Sequence, residues 1–228
     1  MIQTNFQISQ KEYEYFFEHR NQLLPQYSMQ ELDLMDYVAN NPNNTDREIV
    51  RKKVYLLNRF YSTRVPREEM VDHILKIDNI DIRLRNGDPN LVLEIAKIDK
   101  TYYSFASKFC SMHQPAKFPI FDSLVWSFFE YLGKCGFFSS KTYNLFKTVK
   151  VCPNGYTNYI TIYDEFLLKS NIKLFYGTYR KVDAYIWSYF QVYIIYHRHM
   201  KEADGIFPNI FTGVASCAIW EIIKYLIS

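Results

Sequence analysis

Glycine is scarce in this chain. Seven glycines in 228 residues leave little material for Gly-rich phosphate loops or for the tight turns of β-hairpins. Cysteine is no more abundant: Cys110, Cys135, Cys152 and Cys217 are scattered, with no Cys-x-x-Cys pair, which argues against a zinc ribbon or a clustered iron–sulfur site. No apolar run reaches the length of a membrane span, and the N-terminus MIQTNFQISQKEYEYF lacks a basic-then-apolar leader pattern. The expected setting is cytoplasmic, with reduced thiols and no membrane partner. A Walker-type loop, a Gly-x-Ser-x-Gly elbow and a His-Glu-x-x-His pair are all missing, which sets ATPase, serine-hydrolase and zincin chemistry aside.

What the chain has in abundance is aromatic side chains. They make up 18% of the residues, with 20 Tyr and 18 Phe, against 48% hydrophobic and 22% charged overall. Those proportions belong to a globular protein with a sizeable core. The net charge of +3 hides an asymmetry: residues 97–201 carry fourteen Lys/Arg against six Asp/Glu, whereas residues 1–96 carry twelve against fifteen. A basic middle segment is compatible with a polyanion surface, and equally with lysines solvated on helix faces.

Few turns and many periodic apolar stretches predict an all-α fold of about ten helices. It would form one helical domain over 1–228, in one lobe or two closely packed ones. Ser9 suits the cap of a helix over 11–23 that Pro25 breaks, and Ser28 suits the start of the next. Asn44 or Thr45 would cap a third helix carrying Val50, Val54, Leu57 and Tyr61 at helical spacing. Pro66 fits a first turn ahead of Met70, Ile74 and Ile77, and Asp88-Pro89 is a cap followed by a first-turn proline. Ser139 or Ser140 opens a short helix through Val149, and Cys152-Pro153-Asn154-Gly155 reads as a turn. Residues 157–168 read as strand or helix, because their β-branched and aromatic content opposes their length. Helices over 178–197 and 209–227 close the chain.

One segment carries the chemistry: residues 101–132, TYYSFASKFCSMHQPAKFPIFDSLVWSFFEYL. Lys108 lies in a helical stretch among Phe105, Ala106, Phe109 and Cys110, and an amine walled by apolar groups is a candidate for Schiff-base chemistry. Asp122 stands directly before a second apolar helix, where a carboxylate bonds to free backbone N–H groups. An ionised carboxylate there can stabilise a cationic centre or orient a nucleophile.

The segment resembles the helix-hairpin-helix DNA glycosylase superfamily, and within it the 8-oxoguanine glycosylase-like branch. Ser104-Phe105-Ala106-Ser107-Lys108 matches the end of the hairpin with its lysine, and Gln114-Pro115-Ala116-Lys117-Phe118-Pro119-Ile120-Phe121-Asp122 matches the loop to the aspartate. The resemblance implies that Lys108 is a Schiff-base nucleophile displacing a base and that Asp122 supports the oxocarbenium-like centre. It also implies that Lys100, Ser104, Ser107, His113 and Lys117 contact nucleic acid, that double-stranded DNA is the partner, and that no metal or other cofactor is required. The chain departs from the family in three ways. Lys100-Thr101-Tyr102-Tyr103-Ser104 contains no glycine, the step from Lys108 to Asp122 is short, and Phe121 is extra between Pro119-Ile120 and Asp122.

Other candidates are weaker. His197 and His199 are two apart and would face different directions on a helix. Arg83 and Arg85 in DIRLRNGD are either a phosphate clamp or the solvated side of a short helix. The tyrosines of 185–196 are either a base-stacking face or core. The expectation is a base-excision glycosylase/lyase. The alternative is a non-catalytic helical module that binds nucleic acid or a protein through the same fold.

Overall fold

The computed structural model describes residues 6–23, 25–98, 102–149 and 154–187. Ten α-helices follow in order: α1 (Gln10–Leu23), α2 (Pro25–Asn40), α3 (Arg47–Tyr61), α4 (Arg67–Leu75), α5 (Ile80–Asn86), α6 (Pro89–Ala96), α7 (Tyr103–His113), α8 (Ser123–Lys134), α9 (Ser140–Leu145) and α10 (Gly155–Lys169). A further helical stretch covers residues 179–187, and the described residues contain no β-strand. The fold is all-α, as the turn-poor, periodic sequence predicts. The helices expected over 178–197 (beyond 187) and 209–227 lie outside the described residues, as do Cys152, Pro153 and Cys217.

Helix starts follow local chemistry. Asp88 accepts from Asn90 N–H at 3.0 Å and Pro89 occupies the first turn of α6, while Ser139 Oγ caps α9 through Thr142 N–H at 3.3 Å. Two starts differ from the sequence reading. α2 begins at Pro25 rather than Ser28, since a proline's fixed φ suits the first helical position as well as it breaks a preceding helix. The cap of α3 is Asp46, which accepts from Glu48 and Ile49 N–H at 2.8 and 3.0 Å. Asn44 is used elsewhere: its side-chain N–H reaches Asp81 Oδ1 at 2.7 Å. α5 ends at Gly87 with φ +74, and the Lys117 stem lies where a Cβ would be, 2.7 Å away. Only glycine takes both that backbone and that contact cheaply.

The ambiguous segment 157–168 is helical because of its partners. Tyr156, Tyr159, Tyr163 and Phe166 recur at helical spacing along α10, and each is fully buried. The last three meet Phe129 of α8, whose ring centroid lies 6.2 Å from Tyr159, 5.2 Å from Tyr163 and 5.1 Å from Phe166. Tertiary packing of this aromatic stripe overrides an indifferent helix propensity. Most of the unusual aromatic content is thus spent on packing; among the described residues, the buried apolar side chains other than Ile120 form one contiguous cluster from Phe6 to Ile186. α7 sits at the centre, touching α2, α3, α5 and α6.

Candidate active site around Lys108 and Asp122

α7 is buried on almost every side: Tyr103 and all residues from Phe105 to Met112 are covered. A helix of that kind has no solvent face on which to place a charge, yet it carries Lys108, whose residue is 3% exposed. A buried ammonium must be paired and hydrogen-bonded. Lys108 Nζ donates to Ser104 Oγ one turn back at 2.7 Å and to Asp122 Oδ2 at 2.9 Å. It also lies 5.0 Å from the centre of the Tyr61 ring, within cation–π range.

Asp122 divides its two oxygens. Oδ1 caps α8 by accepting from Leu124 N–H at 2.9 Å, while Oδ2 takes the lysine. Its side chain is 20% exposed against 4% for Lys108, so the pair opens on the carboxylate side. The opening is a cleft of about 330 Å³, with Tyr61, Lys108, Asp122, Arg180, Asp183 and Trp187 among its lining residues. Opposite Lys108, Arg180 donates to Glu31 Oε1 at 2.7 Å and to the Tyr61 hydroxyl at 3.2 Å. Burial pushes that hydroxyl up to about 12, with Arg180 opposing, so Tyr61 stays neutral.

Residues 118–122, which deliver Asp122, have no regular secondary structure, so no helix or ladder satisfies their polar groups. Side chains do so instead. Ser107 Oγ accepts from Phe121 N–H at 2.9 Å, Tyr156 OH donates to Pro119 O at 2.6 Å, and Tyr159 OH donates to Ile120 O at 2.7 Å. Asp183 Oδ2 accepts from Ile120 N–H at 2.7 Å, and its Oδ1 accepts from Tyr163 OH at 2.7 Å.

Burial pushes the Asp183 carboxyl up to about 7, with Asp122 acting in the same direction and Ile120 N–H, Tyr163 and Arg180 opposing. The native carboxyl therefore holds its proton to higher pH than the unfolded one, whose ordinary value is 3.8. Its contribution to stability is complete below the unfolded value and is lost as pH rises through about 7. Asp183→Asn is expected to remove that loss. Thermal melts at about pH 4.5 and about pH 7.5 should show the variant gaining on wild type at the higher pH; a difference independent of pH would contradict the assignment.

The residues singled out from sequence have separate fates. Lys108, Asp122 and Ser104 meet. Ser107 is fully buried and supports the loop backbone, so it faces Phe121 rather than a ligand. His113, at the far end of α7, packs on Phe109 with ring centroids 5.1 Å apart and is absent from the cleft lining. Burial and then the Lys53 charge lower its imidazole to about 3, which keeps it neutral. Lys117 is exposed and donates to the Arg85 carbonyl. Arg83 is taken up by Asp88 at 2.8 Å and Glu94 at 2.6 Å and is no phosphate clamp. Lys100, His197 and His199 lie outside the described residues. Among the described residues, no three His, Cys, Asp or Glu side chains are grouped to hold a metal ion, and no helix is long and apolar enough to cross a membrane.

A second buried lysine offers a contrast. Burial lowers Lys53 to about 8, which on acidity alone would favour a nucleophile. Its Nζ is fixed by Asn43 O and Asn44 Oδ1, both at 2.9 Å, and the residue is wholly covered. Lys108 lines the cleft and Lys53 does not.

Sequence reasoning missed Glu31, Tyr61, Arg180 and Asp183. The signal for the last two was present as opposite charges three residues apart in the aromatic segment Tyr179–Trp187. Charge on the packed side of an aromatic helix calls for partners. Glu31 had no local sign, because its partner is 149 residues away.

The HI_0787_N family, described as an N-terminal domain, matches residues 9–117. That span includes α7 and Lys108 and stops short of Asp122. An uncharacterized protein of Haemophilus influenzae (strain ATCC 51907 / DSM 11121 / KW20 / Rd) is 37% identical over 48% of this chain. The chain spans 60% of that relative's length. No solved structure matches.

Proposed function

We propose that this protein is a base-excision glycosylase/lyase acting on double-stranded DNA, with Lys108 as nucleophile and Asp122 as its supporting carboxylate. One observation carries the reading: a buried lysine amine lies 2.9 Å from a helix-capping carboxylate, at the wall of an aromatic-lined cleft. Lys108 Nζ, once it has given up a proton, attacks C1′ of the sugar. The C1′–N glycosidic bond breaks and the base leaves with the electron pair and a proton. The C1′–O4′ bond then breaks, O4′ taking its electron pair and the remaining amine proton, which leaves an imine between C1′ and Nζ. Asp122 Oδ2 is placed to stabilise positive charge developing at C1′.

The charges of the cleft favour a base as the occupant. Two cations, Lys108 and Arg180, face three carboxyl groups, Glu31, Asp122 and Asp183, so no surplus positive charge awaits a phosphate. Phe60, Tyr61 and Trp187 supply aromatic walls, which suit a flat, uncharged, hydrogen-bonding group turned out of a duplex. Phosphate contacts belong to the basic middle segment outside the cleft. Binding of an abasic or lesion-bearing duplex should therefore weaken steeply with salt, as condensed counterions are released. Fluorescence anisotropy from about 50 to about 200 mM salt checks this; a flat response would contradict a polyanion surface. Cys110 is a buried free thiol, in keeping with a reducing, cytoplasmic setting.

The second reading is a non-catalytic helical binding module. It is favoured by the segment Lys100–Ser104, which lacks the glycines that let backbone amides approach a phosphate. Covalent trapping with borohydride on an abasic duplex separates the two.

A further inference from the structure

We propose that Asp183 is a positioning residue, which sets the place of Asp122 by holding the backbone of the loop before it. The part of this proposal that concerns reaction rests on the glycosylase/lyase reading; the part that concerns the loop does not. Asp183 belongs to the helical residues 179–187 and is 4% exposed. It reaches 63 residues back along the chain to take Ile120 N–H at 2.7 Å, two residues before Asp122. The other loop clamps, Ser107, Tyr156 and Tyr159, are neutral hydroxyls that are not among the cleft-lining residues. Asp183 alone among the four is also a cleft residue, so one side chain couples the wall of the cleft to the loop that presents the carboxylate.

Its own orientation is fixed on the other side by Tyr163 OH at 2.7 Å. The charged and titratable groups around it are Arg180, Asp122, Tyr163, Tyr159, Tyr156, Tyr179, Tyr61 and Tyr13. The geometry requires an acceptor toward Ile120 and tolerates a donor toward Tyr163. An asparagine meets both needs, with its oxygen on Ile120 N–H and its amide N–H on the tyrosine oxygen. An alanine meets neither and leaves Ile120 N–H buried without a partner.

The test compares Asp183→Ala, Asp183→Asn and wild type by two readouts: hydrogen exchange of the peptide covering 118–122, and single-turnover borohydride trapping on an abasic duplex. Asp183→Ala should speed exchange of the loop amides by about 10-fold or more. It should slow trapping by about 10- to 100-fold, as a small misplacement of a reacting group does, with duplex affinity within about 3-fold. Asp183→Asn should restore both to within about 3-fold of wild type. Unchanged exchange in Asp183→Ala overturns the positioning role. Loss of trapping in Asp183→Asn as complete as in Asp183→Ala overturns it too, because the carboxylate would then act through its charge. If Asp183→Ala fails to fold, Tyr163→Phe decides: it removes the orienting hydroxyl and should raise loop exchange, and unchanged exchange overturns the proposal. Wild type that never traps sinks the lysine reading alone, since loop exchange still decides the role of Asp183.

Discussion

Lys108→Gln is expected to abolish borohydride trapping of an abasic duplex, a loss of at least about a thousandfold against wild type, because glutamine has no amine to form the imine. Glutamine keeps most of the side-chain length and still donates to Ser104 Oγ or Asp122, so the fold should survive and duplex affinity should change little. Asp122→Asn should slow the reaction by about 100-fold or more, the scale of removing one electrostatic stabiliser from a water-poor site. Its amide oxygen can still accept from Leu124 N–H, so the cap of α8 remains. Equal trapping by wild type and Lys108→Gln would show that another amine reacts. Trapping by neither, with lesion-bearing duplexes left uncut, would favour the binding module.

Phe129→Ala should be the most damaging change outside the site, costing about 3–5 kcal/mol of stability. The side chain is fully buried, and its ring lies 6.2, 5.2 and 5.1 Å from the rings of Tyr159, Tyr163 and Phe166. Two of those partners are in the site's support: Tyr159 holds Ile120 O, and Tyr163 orients Asp183. The cavity left behind should lower the midpoint of thermal unfolding by about 10 °C and loosen the loop before Asp122. A loss below about 1 kcal/mol in urea unfolding would mean that this stripe is not the keystone of the core.

The parts of this fold legible in the sequence are those fixed by neighbours. Asp88-Pro89 and Asp122 announce their helices because caps and first turns are local chemistry. Val50, Val54 and Leu57 recur at helical spacing and are all fully buried. The sequence offers Asn44 or Thr45 as the cap of α3, and the cap is Asp46. Asn44 is taken instead by Asp81 of α5 and by Lys53 of α3 itself. Residues 157–168 could not be assigned, since what makes them helical is the far side of the core. The site shows the same division. Lys108 and Asp122 are visible because both lie in one short segment with recognisable surroundings. Arg180 and Asp183 meet partners 149 and 63 residues away, and no pattern of spacing carries pairings of that range. His113, which the resemblance implies as a nucleic-acid contact, packs on Phe109 and is not among the cleft-lining residues.

The most direct measurement is the site of the reduced adduct. Borohydride-treated protein bound to an abasic duplex, digested and sequenced by mass spectrometry, should carry the sugar remnant on the peptide containing Lys108, with the modified nitrogen at Nζ. A remnant on the N-terminal amine, on Lys53 or on an exposed lysine such as Lys117 would contradict the account, since the reacting amine would then not be the one beside Asp122.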